Sequence, residues 1–495
     1  MVFNKLGGIY YNETYEVSKI DYGGSIPCFI GKSINLDYLE KEENDKEISE
    51  DEKRKTRAEI KTEQESKRKL NQLLVFNNFT QANRNTLDSD GKMEGLGDYD
   101  TEKEQNPLLK FVHDFCEETK MMTEDYVACP YFYVIDLGCA DELPTWINAT
   151  EVAKTKREID FEVYIGFDNV LDTTGKETPT VASYESFILA VNYDLVMNRQ
   201  VVGDFRKAFY TLNRIDSETK KYQDDTYYKN NYKDKINGSL IIKGTDTELK
   251  ELARDLTGLN NTIKTPVYDT YFTKNTTTDE YTGTITDLTT NTISKSRTYI
   301  IEPLHFGHTV GRISTTPYDM EPGYYEYNTL TVDDIILRKP AEQLQLQMAG
   351  VIFNHLEETS VEEYIKINRT QSVSSNLVSH PPDSLYQARN LCDELLTRIF
   401  DTCYPQLKNK ETETNLGYLQ TQVNKVVNDA ITDGDFIAPY TVNNERKGTL
   451  MSVQESLEDA YDIELVGMIQ PVNCTYTIHI IAQINDAKIQ IIETK

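Results

Sequence analysis

The chain ends in two stretches in which apolar residues alternate with polar ones. A single polar residue separates Ile478 from Ile480 in the first stretch, and Ile489 from Ile491 in the second. A period of two residues is typical of a β-strand, because successive side chains of a strand point to opposite faces. Asn485-Asp486 lies between the stretches and favours a turn. The pattern therefore predicts two β-strands joined by a turn.

Helical and strand patterns alternate in the first half of the chain. Pro107 is suited to the first turn of a helix, and apolar residues with helical spacing follow at Leu108, Phe111, Val112 and Phe115. Apolar runs predict buried strands at 131–137 and 161–167, with a helix at 146–157 between them and a long helix at 183–211 after them. This alternation predicts an α/β (α+β) chain of several domains with layered helices and sheets.

Three other segments differ from these in composition. Residues 1–33 are rich in Gly and Tyr, which predicts an extended arm and then a short buried strand that ends at Gly31. Residues 39–70 carry mixed charges with almost no apolar anchors, so they form either a solvated helix or a disordered loop. Thr and other β-forming residues at 265–300 indicate an inserted or outer region that contains β-strands.

The last third of the chain is predicted to be mainly helical before its final strands. One helix is expected to begin after Lys339 and to include Ile352. Further helices are expected at 383–402 and 411–432, with a short helix at 449–461.

Composition narrows the classes of function. The chain has 495 residues, enough for more than one hydrophobic core, and a formal net charge of −29. Such acidity argues against binding to nucleic acid or to an anionic membrane, because phosphate contacts need clustered Lys and Arg. No apolar run approaches the roughly 18 residues of a membrane span, and the first residues lack the pattern of a signal peptide. The seven scattered cysteines are interpreted as reduced core residues of a protein made in the cytoplasm.

Motifs for catalysis or ligand binding are not evident. His305 and His308 are a close histidine pair, but no Cys or carboxylate partners follow at the spacing of a zinc site. Their segment, 302–311, contains two glycines and a proline and is interpreted as a shaped loop. The sequence lacks a phosphate-binding Gly-Lys-Ser/Thr loop, a Gly-x-Ser-x-Gly elbow and a His-Glu-x-x-His motif. We therefore predict no catalytic residues, no cofactor and no metal site.

The order of several short motifs resembles that of contractile tail sheath proteins of phages, archaeal viruses and related injection particles. The glycine- and tyrosine-rich residues 7–14 and the strand-like residues 23–31 are similar to the sheath opening, in which an arm precedes a short strand ending in Gly. Residues 75–79 resemble the next strand of a sheath, and 108–117 and 131–136 resemble the helix and buried strand that follow it. The helices and last two strands of the chain follow the order of a sheath C-terminal domain.

The resemblance implies a layered sheath core domain, built from the N- and C-terminal parts, with inserted outer domains and extended terminal arms. The implied divisions are an N-terminal arm with the first core strand (1–33), a charged exposed excursion (34–70), an α/β domain (71–213), an inserted β-containing outer region (214–338), a C-terminal sheath core domain (339–485) and a C-terminal donor-strand arm (486–495).

The resemblance also implies how subunits join. The terminal arms would reach neighbouring subunits and complete a four-stranded sheet with strands of the receiving C-terminal domain. The expected inter-subunit strand contacts are Ile9, Tyr10, Tyr11, Ile478, Ile480, Ile489, Ile491 and Ile492.

The implied function is that of a structural subunit, not an enzyme. It would polymerise helically around an inner tail tube and contract to drive the tube through a cell envelope. Its partners would be further copies of itself, the inner tail tube protein, and baseplate and tail terminator proteins, without nucleic acid or direct membrane insertion. The subunit would be made and assembled in the host cytoplasm and located in the tail sheath of a virion.

Other classes of function stay open at this point. A baseplate-type component of the same kind of particle would share the acidity and the lack of motifs, but would not build long tubes. A carboxylate-based hydrolase would be a compact monomer or closed oligomer, with a pocket that perturbs acidic side chains. A surface adhesin would need a secretion route, for which the sequence gives no sign.

Overall fold

The structure is a computed structural model in which the chain forms two compact units, Met1–Arg389 and Asn390–Lys495. The residues that it describes are 25–46, 54–120, 129, 131–140, 142–166, 187–188, 190–192, 194–195, 204–211, 266–274, 281–287, 297–317, 320–327, 329–358, 363–373, 385–403, 413–432, 441–442, 445–446, 450–455, 463–468, 480–485 and 488–493.

The first unit contains both strands and helices. Its strands are β1 (Pro27–Gly31), β2 (Leu73–Phe76), β3 (Phe132–Asp136), β4 (Phe161–Ile165), β5 (Lys207–Tyr210), β6 (Pro266–Lys274), β7 (Tyr281–Asp287), β8 (Thr298–Ile301), β9 (Val351–Ile352), β10 (Asn354–Glu358) and β11 (Glu363–Ile367). Its helices are α1 (Leu36–Asp45), α2 (Arg57–Ser66), α3 (Phe79–Ala82), α4 (Tyr99–Glu102), α5 (Pro107–Lys120), α6 (Leu143–Ala153), α7 (Phe306–Thr315) and α8 (Pro340–Ala349), and α9 (Tyr386–Cys403) begins in it.

A seven-stranded sheet with the strand order β2-β3-β1-β4-β5-β8-β9 organises the first unit. β2 is antiparallel to β3, whereas every other neighbouring pair, from β3–β1 to β8–β9, is parallel. β1 is paired on both sides, with Cys28 opposite Tyr133 of β3 and Glu162 of β4. All residues of β1, β3 and β4 are buried, as expected of parallel strands covered on both faces. The α/β fold class is thereby confirmed.

Alternate residues of β1 point into two different hydrophobic cores. Cys28 and Ile30 belong to the core that contains Trp146 of α6. Phe29 belongs to the other core, where its ring centroid lies 5.0 Å from that of Phe111 and 4.8 Å from that of Phe115 on α5. The predicted helix from Pro107 and its apolar face are therefore confirmed, and the face packs on the sheet.

A second helix, α7, lies against α5 at short distance. The interpretation of residues 302–311 as a shaped loop is wrong from Phe306 on, because Phe306–Thr315 is helical. A Cβ atom at Gly307 would lie 2.7 Å from the Phe111 carbonyl oxygen, and one at Gly311 would lie 3.0 Å from the Phe115 carbonyl oxygen. The two glycines, four residues apart on one helical face, let the backbones of the helices approach each other.

Two helices that the sequence predicts are replaced in part by strands of the sheet. Within the predicted helix at 183–211, residues 207–210 form β5, in which Ala208 and Tyr210 join one core and Phe209 joins the other. The helix after Lys339 ends at Ala349, because Gly350 adopts φ +88° and the chain continues as β9. Short apolar runs fit both periods, and tertiary pairing decides in favour of the strand.

The charged segment forms two helices within its described part. Nη1 of Arg57 on α2 lies 2.6 Å from a carboxylate oxygen of Asp37 and 2.8 Å from one of Glu40 on α1. Of the two alternatives stated for this segment, the described part shows the helix, and Ile60 anchors it in a small buried cluster with Ile34, Leu36 and Cys139. A capping box at Thr56 and Glu59 fixes the start of α2.

Two further two-stranded sheets belong to the first unit. β6 and β7 form an antiparallel pair within the Thr-rich stretch, so the β-structure predicted there is confirmed for residues 266–274 and 281–287. β10 pairs with β11, also antiparallel.

The second unit combines helices with short antiparallel pairs. It contains most of α9, α10 (Glu413–Thr432), β12 (Thr441–Val442), β13 (Glu445–Arg446), β14 (Leu450–Glu455), β15 (Ile463–Met468), β16 (Ile480–Asn485) and β17 (Lys488–Glu493). The short helix predicted at 449–461 is wrong for residues 450–455, because β14 pairs with β15 from Leu450↔Met468 to Glu455↔Ile463. The two terminal strands predicted from the alternating pattern are confirmed as β16 and β17.

Candidate assembly surfaces

The C-terminal hairpin is the first candidate surface. β16 and β17 are antiparallel, with Ile484 opposite Ile489, Ala482 opposite Ile491 and Ile481 opposite Ile492. Residues directly opposite each other in an antiparallel pair share a face of the sheet. The register therefore defines two faces of different composition.

One face of this hairpin is apolar by register and the other is mixed. The apolar face holds Ile480, Ala482, Ile484, Ile489 and Ile491, with Glu493 opposite Ile480 at its end. The opposite face holds Ile481, Gln483, Asn485, Lys488, Gln490 and Ile492. Of the predicted contact residues, three thus share the apolar face, whereas Ile492 takes the other.

The other four predicted contacts belong to different parts of the chain. Ile9, Tyr10, Tyr11 and Ile478 lie outside the described residues. The assignment of all eight residues to inter-subunit contacts stays a prediction.

Within the described residues, β16 and β17 form a two-stranded sheet. An isolated two-stranded hairpin is marginally stable in water, and stable sheets need further strands or a helix against their apolar face. The outer edge of such a strand presents backbone N–H and C=O groups that can pair with another strand. The hairpin therefore has the chemistry needed for strand addition.

The second candidate surface is the β14–β15 hairpin, which packs against α10. Leu419, Val423 and Val427 on one face of α10 are buried, and so is Met451 of β14. Next to this apolar contact, the side-chain amide of Gln420 bonds to the strand itself. Its Nε2 donates to the Met451 carbonyl oxygen at 3.1 Å, and its Oε1 accepts from the Val453 N–H at 2.7 Å.

The carboxyl ends of the parallel strands, where α/β proteins commonly bind ligands, form a third candidate surface. Asp136, at the end of β3, accepts hydrogen bonds from Ser33 Oγ at 2.5 Å and from the Gly138 N–H at 2.8 Å. Arg68, just after α2, lies with Nη1 3.7 Å from the Asp136 carboxylate and 2.6 Å from the Leu96 carbonyl oxygen. Burial raises the pKa of the Asp136 carboxyl. Hydrogen-bond donors and a cation of the protein itself thus surround this buried carboxylate.

The histidine pair is part of the protein's own packing. His305 adopts φ 56° just before α7, and its Nε2 lies 2.7 Å from the Asp334 carbonyl oxygen. The rings of His305 and His308 have centroids 5.3 Å apart. Among the described residues, no group of three or more His, Cys, Asp and Glu side chains is arranged to hold a metal ion.

Sequence reasoning did not find Gln420. It lies next to Leu419 at the border of the apolar face of α10, where a polar residue carries no special signal. The contact also depends on β14, which the sequence predicts as helix. Recognising the period of two in residues 451–454 would have been the first step towards finding it.

Helices on both faces of a largely parallel sheet define an α/β protein. No helix in the described ranges combines the length and the apolar character needed to cross a membrane. No protein-family model matches the chain, and no curated protein matches it.

The chain is similar to solved structures of contractile particles. Against the helical sheath of the anti-feeding prophage (AFP) in its contracted state, the TM-score is 0.47 with 8% identity, over 92% of each chain. Against the 6-fold symmetrised AFP baseplate it is 0.47 with 9% identity, over 92% of this chain and 91% of that one. Against the contracted sheath complex of the extracellular contractile injection system PVC it is 0.47 with 9% identity, over 93% and 91%. These values are too low to carry residue roles or an activity over to this chain.

Proposed function

We propose that the chain is a structural subunit of a contractile tail sheath. The observation that supports this most directly is how the sheath-like sequence elements meet in space. β1 pairs with β3, β3 pairs with β2, and α5 packs on β1 through Phe111 and Phe115. The resemblance rests only on the order of these elements along the chain. That they also pack together, as three neighbouring strands and a helix on them, is a separate observation.

Subunits would be joined by strand addition. The C-terminal hairpin offers backbone hydrogen bonds along its outer edges, and these give a joint that depends little on side chains. Its apolar face fixes the register, because a slip of one residue would move Ile489 and Ile491 to the other face. Ile9, Tyr10 and Tyr11 would serve the N-terminal arm in the same way.

Repetition of such a joint would build a tube. A contact between two different surfaces of identical subunits is heterologous and produces an open helical assembly unless it closes into a ring. The inner tail tube protein, the baseplate and the tail terminator would be its further partners. The assembled sheath would belong to a virion or a related injection particle after assembly in the host cytoplasm.

Contraction would be a rigid-body transition between two packings of the same subunits. The compact first unit, with its paired and buried strands, is suited to move as a body, while the joined strands keep subunits connected. Burial of more surface in the contracted form, summed over many subunits, would supply the free energy. This mechanism uses neither an enzymatic reaction nor a cofactor.

Removal of residues 486–495 tests strand addition. The variant is expected to remain folded and to form no tubes, because β17 is lost while the first unit is untouched. Negative-stain electron microscopy shows tubes, and circular dichroism shows that the chain is folded. Normal tubes from the shortened chain would contradict the proposal.

A matched pair of point variants separates register from general damage. Ile491→Lys places a charge on the apolar face of the hairpin, whereas Gln490→Lys places one on the mixed face of the same strand. We expect tube formation to fail for Ile491→Lys and to persist for Gln490→Lys. Equal behaviour of the two variants would argue against a joint that depends on this register.

A further inference from the structure

We infer that Gln420 closes the outer edge of β14 and that a strand from a second copy of this chain must displace its side chain to bind there. The inference rests on the proposed function, since it assigns the edge at which strand addition takes place. It concerns the receiving side of the joint, whereas the truncation described above concerns the donating side.

The hydrogen bonds of Gln420 replace those of a neighbouring strand. The backbone N–H and C=O groups of successive residues in a strand point alternately to its two edges. The Met451 carbonyl and the Val453 N–H, two residues apart, therefore point to the same edge. Both groups bond to the Gln420 amide, at 3.1 and 2.7 Å, so this is the side away from β15. One side chain thus satisfies an acceptor and a donor that another strand would otherwise use.

The Gln420 amide is itself held in place. Its Nε2 donates a second hydrogen bond to Asn424 Oδ1 at 2.8 Å, one helical turn further along α10. Both donors and the acceptor of the amide are therefore used at the same time. Covering an edge with a helix is one way in which proteins prevent unwanted strand pairing.

The occupant that fits this edge is β17 of a second copy. β14 and β17 are both six residues long, so a full set of backbone bonds can form between them. In an antiparallel alignment Lys488 comes opposite Glu455, which pairs opposite charges. The β14–β15 hairpin of one copy and the β16–β17 hairpin of another would then form one four-stranded sheet.

The test uses the full chain with Gln420→Ala and, as matched control, Gln422→Ala on the same helix. Hydrogen exchange of the Val453 amide is expected to become about five- to tenfold faster in Gln420→Ala, the effect of one lost hydrogen bond. Association, followed by light scattering from disassembled subunits, is expected to become faster by a similar factor. Gln422→Ala should change neither quantity.

Three results would overturn the inference. The first is unchanged exchange at Val453, which would mean that Gln420 does not cap the edge. The second is faster exchange without faster association. The third is faster association that persists when Gln420→Ala is combined with deletion of 486–495, because the occupant would then not be β17.

A second substitution guards against misfolding of the alanine variant. Gln420→Glu keeps an acceptor for the Val453 N–H but cannot donate to the Met451 carbonyl, so it should fall between wild type and alanine. If wild-type subunits associate into closed particles but Gln420→Ala still speeds their association, the sheath proposal is contradicted and the role of Gln420 is supported. If tubes form but Gln420→Ala assembles at the wild-type rate, the sheath proposal is supported and the role of Gln420 is contradicted.

Discussion

The central sheet and the C-terminal hairpin use the same backbone chemistry in opposite ways. β1 is paired on both sides and buried on both faces, so its hydrogen bonds and its side chains are satisfied within the chain. Within the described residues, β17 is paired with β16 in a two-stranded sheet that has an apolar face. The difference indicates that the first unit supplies a stable body and that the hairpin supplies a joint.

The body contains buried ion pairs. Arg206, just before β5, and Glu162 of β4 both have fully buried side chains, and Nη1 of Arg206 lies 3.1 Å from Oε1 of Glu162. Arg206 also donates to Asp204 at 2.8 Å and to the Ala153 carbonyl oxygen at 2.8 Å. Desolvation offsets much of the attraction in an intact buried pair, but removal of one partner leaves an uncompensated buried charge and destabilises the fold strongly.

The largest expected effect comes from Arg206→Met. It leaves Glu162 buried without its cation, which typically costs about 3–5 kcal/mol of unfolding free energy. Urea denaturation followed by circular dichroism measures the loss. Relative to wild type, hydrogen exchange should accelerate more in the central sheet than in the hairpin. The double variant Arg206→Met, Glu162→Gln should recover part of the loss. If only the hairpin were destabilised, the central sheet would not be the stable body of the subunit, and the distinction between body and joint would be wrong.

A smaller effect is expected from Gly307→Ala. The new methyl group would lie 2.7 Å from both the Phe111 carbonyl oxygen and the Asp114 Cβ, so α7 must move away from α5. Overpacking of this kind costs about 1–3 kcal/mol, measurable by thermal or urea unfolding.

Gly417→Ala is the matched control for that substitution. Gly417 lies in α10, and a Cβ atom there meets nothing within 4 Å. The same chemical change should therefore stabilise its helix by up to about 1 kcal/mol. Equal destabilisation by both variants would mean that the close approach of α7 and α5 is not what requires glycine.

The smallest effect is expected from Arg57→Ala in the charged segment. Its guanidinium bridges Asp37 and Glu40, but all three side chains are about one third exposed or more. Exposed ion pairs contribute about 0–1 kcal/mol, which salt reduces further. Unfolding measured at low and high salt should show a small loss that shrinks with salt. A loss as large as that of Arg206→Met would show that this segment belongs to the body.

Local patterns predict the parts of the fold in which sequence and tertiary context agree. β1, β3, β4 and α5 are buried apolar segments of the expected length, and all four appear where the pattern places them. β17 is also predicted, since Ile489 and Ile491 alternate with the polar residues Lys488 and Gln490.

The errors arise where context decides. β5 and β14 are short segments whose apolar residues fit a helix as well as a strand, and their partners β4, β8 and β15 select the strand. Gly307 and Gly311 are read as loop residues because a sequence does not reveal which helix lies against them. The local sequence does not reveal the role of Gln420 either, because that role depends on the edge of β14, a strand whose Met451 lies 31 residues further along the chain.

Electron microscopy of the purified full-length protein tests the central claim most directly. A body with a donated hairpin should assemble into hollow, helically ribbed tubes, and the variant without residues 486–495 should give separate particles under the same conditions. Discrete, uniform particles from the full-length chain at high concentration would contradict the sheath proposal and favour a baseplate-type component or an enzyme.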